Sequence, residues 1–233
     1  MKKQKTKNTR PEIPAQALGG SRMKVVLAYG SPHKKGCTYT ALTEVAKTLN
    51  EEDIDTEMFW IGIKPLAGCT ACKTCAKTGR CIFDDSVNEF LEIAKDADGF
   101  IFGSPVHYAA ASGAMTSFMD RVFYSDLQSG RQTFYLKPAA AVVSARRAGT
   151  TTAFDQLNKY FTISEMPVIS SRYWNMVHGA QPEDVKKDLE GLQTMRILAR
   201  NMAFYLKCKK TGLKAGVDLP KREKSIFTNF IRD

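Results

Sequence analysis

Four cysteines fall within thirteen residues, in the pattern Cys69-x2-Cys72-x2-Cys75-x5-Cys81. Thiolates at this spacing can close on one soft centre. A tight triad with a fourth ligand nearby holds a 4Fe–4S cluster. Four-cysteine zinc sites more often pair two C-x2-C knuckles across a longer segment. A loop of reduced thiols working by thiol–disulfide exchange has the same appearance. Cluster, zinc and free thiols therefore all stay open. Lys73, Lys77 and Arg80 would offset the negative charge of a cluster, and they would equally lower thiol pKa values, so they do not choose among the three. Cys37 and Cys208 stand apart and read as lone thiols.

A second chemistry is written upstream, in Gly30–Thr38 (GSPHKKGCT). Gly30 and Gly36 permit a tight turn, and Ser31 and Thr38 offer hydroxyls. The free N–H groups and dipole of a following helix favour an anion. The segment matches neither GxxxxGK[ST] nor GxGxxG, and alone it reads equally well as an ordinary strand-to-helix turn. Two more loops of small and polar residues follow, Pro105–Ser112 (PVHYAAAS) and Ser144–Gly149 (SARRAG). His107 and His178 are candidate proton donors to a reduced substrate, although a lone histidine beside a loop is more often a structural hydrogen-bonder.

The elements that must position these loops alternate. Met23–Gly30 is a continuous apolar run, as in a parallel strand covered on both faces. Leu42, Val45, Ala46 and Leu49 recur at helical spacing. Glu57–Ile61 reads as a second strand. Asp84 and Asp85 can cap a helix that buries Val87, Phe90, Leu91 and Ala94. Gly99–Ser104, Ala139–Ser144 and a run beginning at Val168–Ser171 read as strands three to five. Gly113–Tyr124, Thr151–Phe161 and a final helix from about Glu183 to Leu206 read as helices, with Asp120 and Arg121 expected to form a structural ion pair. Such alternation predicts a doubly wound α/β sheet of five parallel strands flanked by helices. In these sheets ligands bind beyond the carboxyl ends of the strands. All three loops leave those ends.

Composition bounds the function. The chain has 233 residues, 43% of them hydrophobic, enough for one sizeable core. Residues 1–22 read as a basic tail, 23–210 as the domain and 211–233 as a C-terminal extension with Leu213, Val217, Ile226 and Phe227. The net charge is +10. Much of the excess sits in the tail and in residues 207–224, so nucleic-acid binding is not expected. No apolar run is long enough to span a membrane, and none follows the basic start, so no signal peptide is read and cytoplasmic residence is expected. Tyr173 and Trp174 read as packing or contact aromatics.

In combination, GSPHKKGCT, the cysteine run, ADGFIFGSPVHYAAASGAMTSFMDRVFY and SARRAG resemble the flavodoxin-like NAD(P)H-dependent FMN reductases, and more narrowly the iron–sulfur flavoproteins. The likeness covers about residues 23–210. It implies a flavodoxin-like fold, bound FMN and NAD(P)H as co-substrate. It places Ser31, His33, Cys37 and Thr38 at the FMN phosphate. It places Pro105, Val106, His107 and Tyr108 beside the isoalloxazine ring. Ser144 to Gly149, with Arg146 and Arg147, would form the third flavin loop. His33, Cys37 and His107 stand where the family often has Arg, Asn and Tyr. The likeness also implies that Cys69, Cys72, Cys75 and Cys81 ligate a 4Fe–4S cluster and that the chain forms homodimers or homotetramers. The acceptor would be a quinone, a free flavin or another small molecule. The alternative is an electron carrier between ferredoxin and a partner. No side-chain base or nucleophile is expected, because hydride chemistry belongs to the flavin.

Overall fold

The computed structural model describes residues 22–223 together with 225, 226, 228 and 230. Phe227 and residues 1–21 of the basic tail lie outside the described residues. The first four expected runs form strands, and two short strands join them. The strands are β1 (Lys24–Tyr29), β2 (Asp55–Trp60), β3 (Gly99–His107), β4 (Ala110–Ala111), β5 (Ala139–Ala145) and β6 (Met176–His178). The helices are α1 (Cys37–Glu51), α2 (Thr74–Thr78), α3 (Ser86–Ala94), α4 (Gly113–Ser129), α5 (Thr150–Ile163), α6 (Pro182–Val185) and α7 (Leu189–Lys214). The parallel sheet has the order β2-β1-β3-β5-β6. This is the doubly wound arrangement, with a sixth strand, the two-residue β4, paired antiparallel to β3.

Strand alternation divides the core in two. Val26, Ala28, Phe100, Phe102, Ala141 and Val143 face α3, α4 and α5. Val25, Leu27, Tyr29, Ile101, Ala140 and Val142 face α1 and α7. A two-sided burden of this kind explains why these strands read as unbroken apolar runs. Phe90 of α3 meets Phe118 of α4 edge-on at 5.2 Å. At the rim of the sheet Lys24 on β1 pairs with Glu57 on β2.

Capping sets the helix starts. Asp85 caps α3 by accepting from the Val87 N–H at 3.1 Å, while Asp84 pairs instead with Arg80. Ser112 caps α4 by accepting from Met115 N–H at 3.3 Å. α4 extends past Tyr124 to a left-handed Gly130.

Three expectations need correction. Val168 makes only an isolated bridge to Ala139, and the fifth parallel strand is Met176–His178. The chain bends between the two, so no single run carries the pairing. The final helix is interrupted between Val185 and Leu189, where Asp188 starts a new cap by accepting from Gly191 N–H at 2.9 Å. It then continues to Lys214, into the segment expected to be an extension. The cysteine loop holds a short helix of its own, α2.

Candidate functional site

The sheet order makes β1, β3 and β5 neighbours, so their carboxyl-end loops meet. The Thr38 hydroxyl, on the first turn of α1, lies 2.8 Å from the Ser144 hydroxyl at the end of β5, and both are buried. Ser112 donates to the Gly30 carbonyl at 2.8 Å, and its N–H donates to Ser104 Oγ at 2.9 Å. Those bonds tie the first loop to the second. Gly149 ties the third to the second. Its φ is +92°, and a Cβ there would stand 2.7 Å from Ala109 Cα and 2.9 Å from Val106 Cγ1. Only glycine allows both the backbone angle and the approach.

Within the first loop, Ser31 Oγ accepts from His33 N–H at 3.2 Å, and Gly36 N–H returns to the His33 carbonyl at 3.1 Å. Ser31 is buried, while His33, Lys34 and Lys35 are exposed. The Trp60 indole N–H donates to the Ser31 carbonyl at 2.9 Å. Lys34 lies 5.3 Å over the Trp60 ring. Neither α1 nor α5, both led by glycine, carries a capping side chain or an acid in its first turn. Both helix starts therefore keep their favourable field for an anion. Cys37 is half-buried at the start of α1. Its Sγ lies 3.5 Å from the Gly179 carbonyl, and burial pushes its thiol pKa up.

The second loop is a hairpin. Val106 pairs with Ala111 and His107 with Ala110, leaving Tyr108 and Ala109 as the two-residue tip. Both tip residues have positive φ, 48° and 60°. This is the sign that tight hairpin turns demand and that non-glycine residues resist. Pro105 and Val106 are half-buried, and His107 and Tyr108 are exposed. Gln156 of α5 holds the hairpin by accepting from Ala111 N–H at 3.1 Å. Arg146 and Arg147 are exposed on the third loop. His178 sits at the end of β6, its N–H donating to Asp188 at 2.7 Å. Cys208 is exposed on α7, away from the loops.

The cysteines form a separate site. Cys69, Cys72, Cys75 and Cys81 line one cavity with Phe83 and with Arg121, Tyr124 and Ser125 of α4. Ala71 and Lys73 take positive φ, 51° and 58°, between the cysteines. Turns of this kind can aim N–H groups into an anion-binding concavity, as around iron–sulfur centres. Among the described residues, no three His, Cys, Asp or Glu side chains are already gathered in metal-holding geometry. The donor set of the cavity nevertheless suits a soft, anionic centre.

Arg121 is the residue that sequence reasoning undervalued. It pairs not with Asp120, which takes the Tyr160 hydroxyl, but with Asp85 at 2.7 and 2.9 Å. Its Nε and Nη2 donate to Cys81 Sγ at 3.3 and 3.2 Å. It is 1% exposed. Burial opposes its charge, yet the bonds to Asp85 and Cys81 outweigh burial and raise its pKa. Burial also raises the Cys75 thiol, whereas hydrogen bonds from Thr74 lower Cys72. The available signal was a cation set among Phe118, Met119, Val122 and Phe123 on the helix.

Residues 23–181, spanning all three loops and the cysteines, match the family described as NADPH-dependent FMN reductase. The chain belongs to the NADPH-dependent FMN reductase family. An iron–sulfur flavoprotein of Methanocaldococcus jannaschii is 34% identical over 194 residues, covering 81% of this chain and 100% of that protein. Among solved structures, RosB with its bound flavin-phosphate intermediate superposes with a TM-score of 0.64 at 13% identity, covering 90% of this chain and 94% of that one. A flavodoxin from the domain Archaea superposes with a TM-score of 0.53 at 16% identity, covering 79% and 99%. These likenesses make the fold flavodoxin-like, and family membership makes the chain a flavin-dependent oxidoreductase. No described helix is long and apolar enough to cross a membrane.

Proposed function

We propose that the chain is an FMN-dependent oxidoreductase that takes reducing equivalents from NAD(P)H and delivers them to a quinone, a flavin or another small acceptor. The observation that carries this reading is the locked meeting of three loops at one sheet edge, through Thr38–Ser144 and through Gly149 against Ala109. Ser31, Thr38 and the start of α1 would hold the FMN phosphate, with His33 and Cys37 at the rim. Pro105, Val106, His107 and Tyr108 would border the ring, and Ser144, Arg146, Arg147 and Gly149 would close the third side. The flavin supplies the hydride chemistry, and the protein orients it and excludes water.

Cys69, Cys72, Cys75 and Cys81 would hold a 4Fe–4S cluster, by the chemistry of the donor set and by likeness to the iron–sulfur flavoprotein. The cluster favours a second reading, an electron carrier between ferredoxin and a partner. Self-association as a homodimer or homotetramer, through the cysteine loop or the C-terminal segment, would let a cluster of one subunit serve the flavin of another. Light scattering at micromolar concentration tests that arrangement, and a clean monomer mass removes it. Cytoplasmic residence is proposed as well, because clustered cysteines there serve as metal ligands or redox thiols rather than structural disulfides.

The deciding experiment is anaerobic purification, flavin release and chromatography, metal and sulfide analysis, and stopped-flow mixing with NADH and NADPH. FMN with fast oxidation of either nucleotide supports the reductase. FMN that is reduced only by ferredoxin moves the reading to the carrier. FAD, or no flavin after reconstitution, ends both.

A further inference from the structure

Two side chains of α4, one turn apart, face the cysteine cavity, and neither has a role in binding FMN. Arg121 sends two N–H groups to Cys81 Sγ and is fixed behind it by Asp85. The Phe83 ring lies 4.8 Å from its guanidinium, and the Ala67 and Phe83 carbonyls accept from it at 3.4 Å. The group is thus held on all sides. Ser125 is 2% exposed and lines the same cavity, yet its Oγ has no hydrogen-bond partner. Leaving a buried hydroxyl without a partner is costly. Natural structures rarely keep such a group without a use.

We propose that Arg121 and Ser125 are positioning residues of the cysteine centre, donating hydrogen bonds to its sulfur atoms and raising its reduction potential. The proposal rests on the cluster reading above. A 4Fe–4S centre gains one negative charge when it accepts an electron. Hydrogen bonds to its sulfurs and a fixed cation nearby stabilise that extra charge, and cluster potentials depend on these features. Arg121 supplies both to Cys81. Ser125 supplies a hydroxyl that finds its acceptor only when sulfur fills the cavity. By this arrangement α4 tunes the centre toward accepting electrons.

The test is spectropotentiometry of the anaerobically reconstituted holoprotein, comparing wild type with Arg121→Lys, Ser125→Ala and Ser125→Thr. Arg121→Lys keeps a charge but loses the fork. The ratio of reduced to oxidised centre at fixed ambient potential should fall about tenfold, which is a negative shift of about 59 mV for one electron. Ser125→Ala should shift the potential the same way by less, and Ser125→Thr should restore it. The FMN midpoint in the same titrations should not move. If Arg121→Lys loses its iron, the two Ser125 variants decide. Iron retained with an unmoved cluster potential in Ser125→Ala overturns the proposal. A wild type that binds no iron after reconstitution overturns the cluster reading and this inference with it.

Discussion

The hydroxyls of Thr38 and Ser144 stand 2.8 Å apart in the buried floor between two loops, although 106 residues separate them in sequence. One sits on the first turn of a helix and the other on the last residues of a strand two places along the sheet. Their bond makes two separate loop ends into one surface before any ligand arrives.

Removing one partner should cost more than removing both. Thr38→Val strands the Ser144 hydroxyl in the interior, and urea unfolding should show a loss of about 1–3 kcal/mol. The double variant Thr38→Val with Ser144→Ala should recover part of that loss, giving a positive coupling in the cycle. Additive losses would mean that the two hydroxyls do not depend on each other. Ser31→Ala together with Thr38→Ala should weaken FMN binding by about 1.5–3 kcal/mol per charge-assisted bond lost, read from quenching of FMN fluorescence.

Gly149→Ala should distort the site rather than merely loosen it. The residue holds φ at +92°, and its new methyl would press on Ala109 and Val106. The backbone angle alone costs about 1–2 kcal/mol for a side-chain-bearing residue. The hairpin must also move, so FMN affinity should fall at least tenfold while the far-UV spectrum is retained. Wild-type affinity in this variant would show that the hairpin and third loop do not border the flavin.

The cysteines should behave as a unit. Cys75 is the buried one of the four, and Cys75→Ser should empty the centre rather than reduce its iron by a quarter. Wild-type protein should carry iron and sulfide near about four per chain. FMN absorbance should survive the substitution, because the phosphate loop leaves a different strand. Zinc at about one per chain without brown colour would favour a zinc site instead.

Lys137 gives the protein a pH dependence separate from both sites. Its ammonium donates to the Ala94 and Lys95 carbonyls at 3.2 Å each. Burial drives its pKa down to about 8, with Asp98 pulling the other way. The folded chain thus sheds a proton that the unfolded chain keeps until about pH 10.4. Stability from this group is missing below about pH 8 and is regained as pH rises from there toward about 10.4. The stability of wild type relative to Lys137→Met should therefore improve across that window, by no more than about 3 kcal/mol. A difference that stays flat with pH would remove Lys137 as the cause.

Long-period features of this chain were legible and short or distant ones were not. The apolar runs of β1, β3 and β5 and the capping Asp85 are local signals; β1 and β5 lie within a residue of expectation, and β3 runs three residues further, to His107. Met176–His178 is too short to show a period, and its pairing depends on Val143 across the sheet. Arg121 looked like half of an ion pair with Asp120 because Asp120 is its sequence neighbour. Its true partners, Asp85 and Cys81, lie 36 and 40 residues away, and only packing brings them together.

The hairpin tip has one more consequence. Tyr108 projects its whole ring into water from a turn whose φ angles are already fixed in an uncommon region. Its backbone freedom was surrendered when the protein folded, at a strain of about 1–3 kcal/mol per residue. A flat molecule or a second protein surface settling on that ring meets a rigid platform rather than a loop it must first freeze. Rigid platforms lose less entropy on contact. The exposed ring is therefore preorganised: recognition at this tip depends on the shape and polarity of what arrives, not on the loop's readiness to receive it.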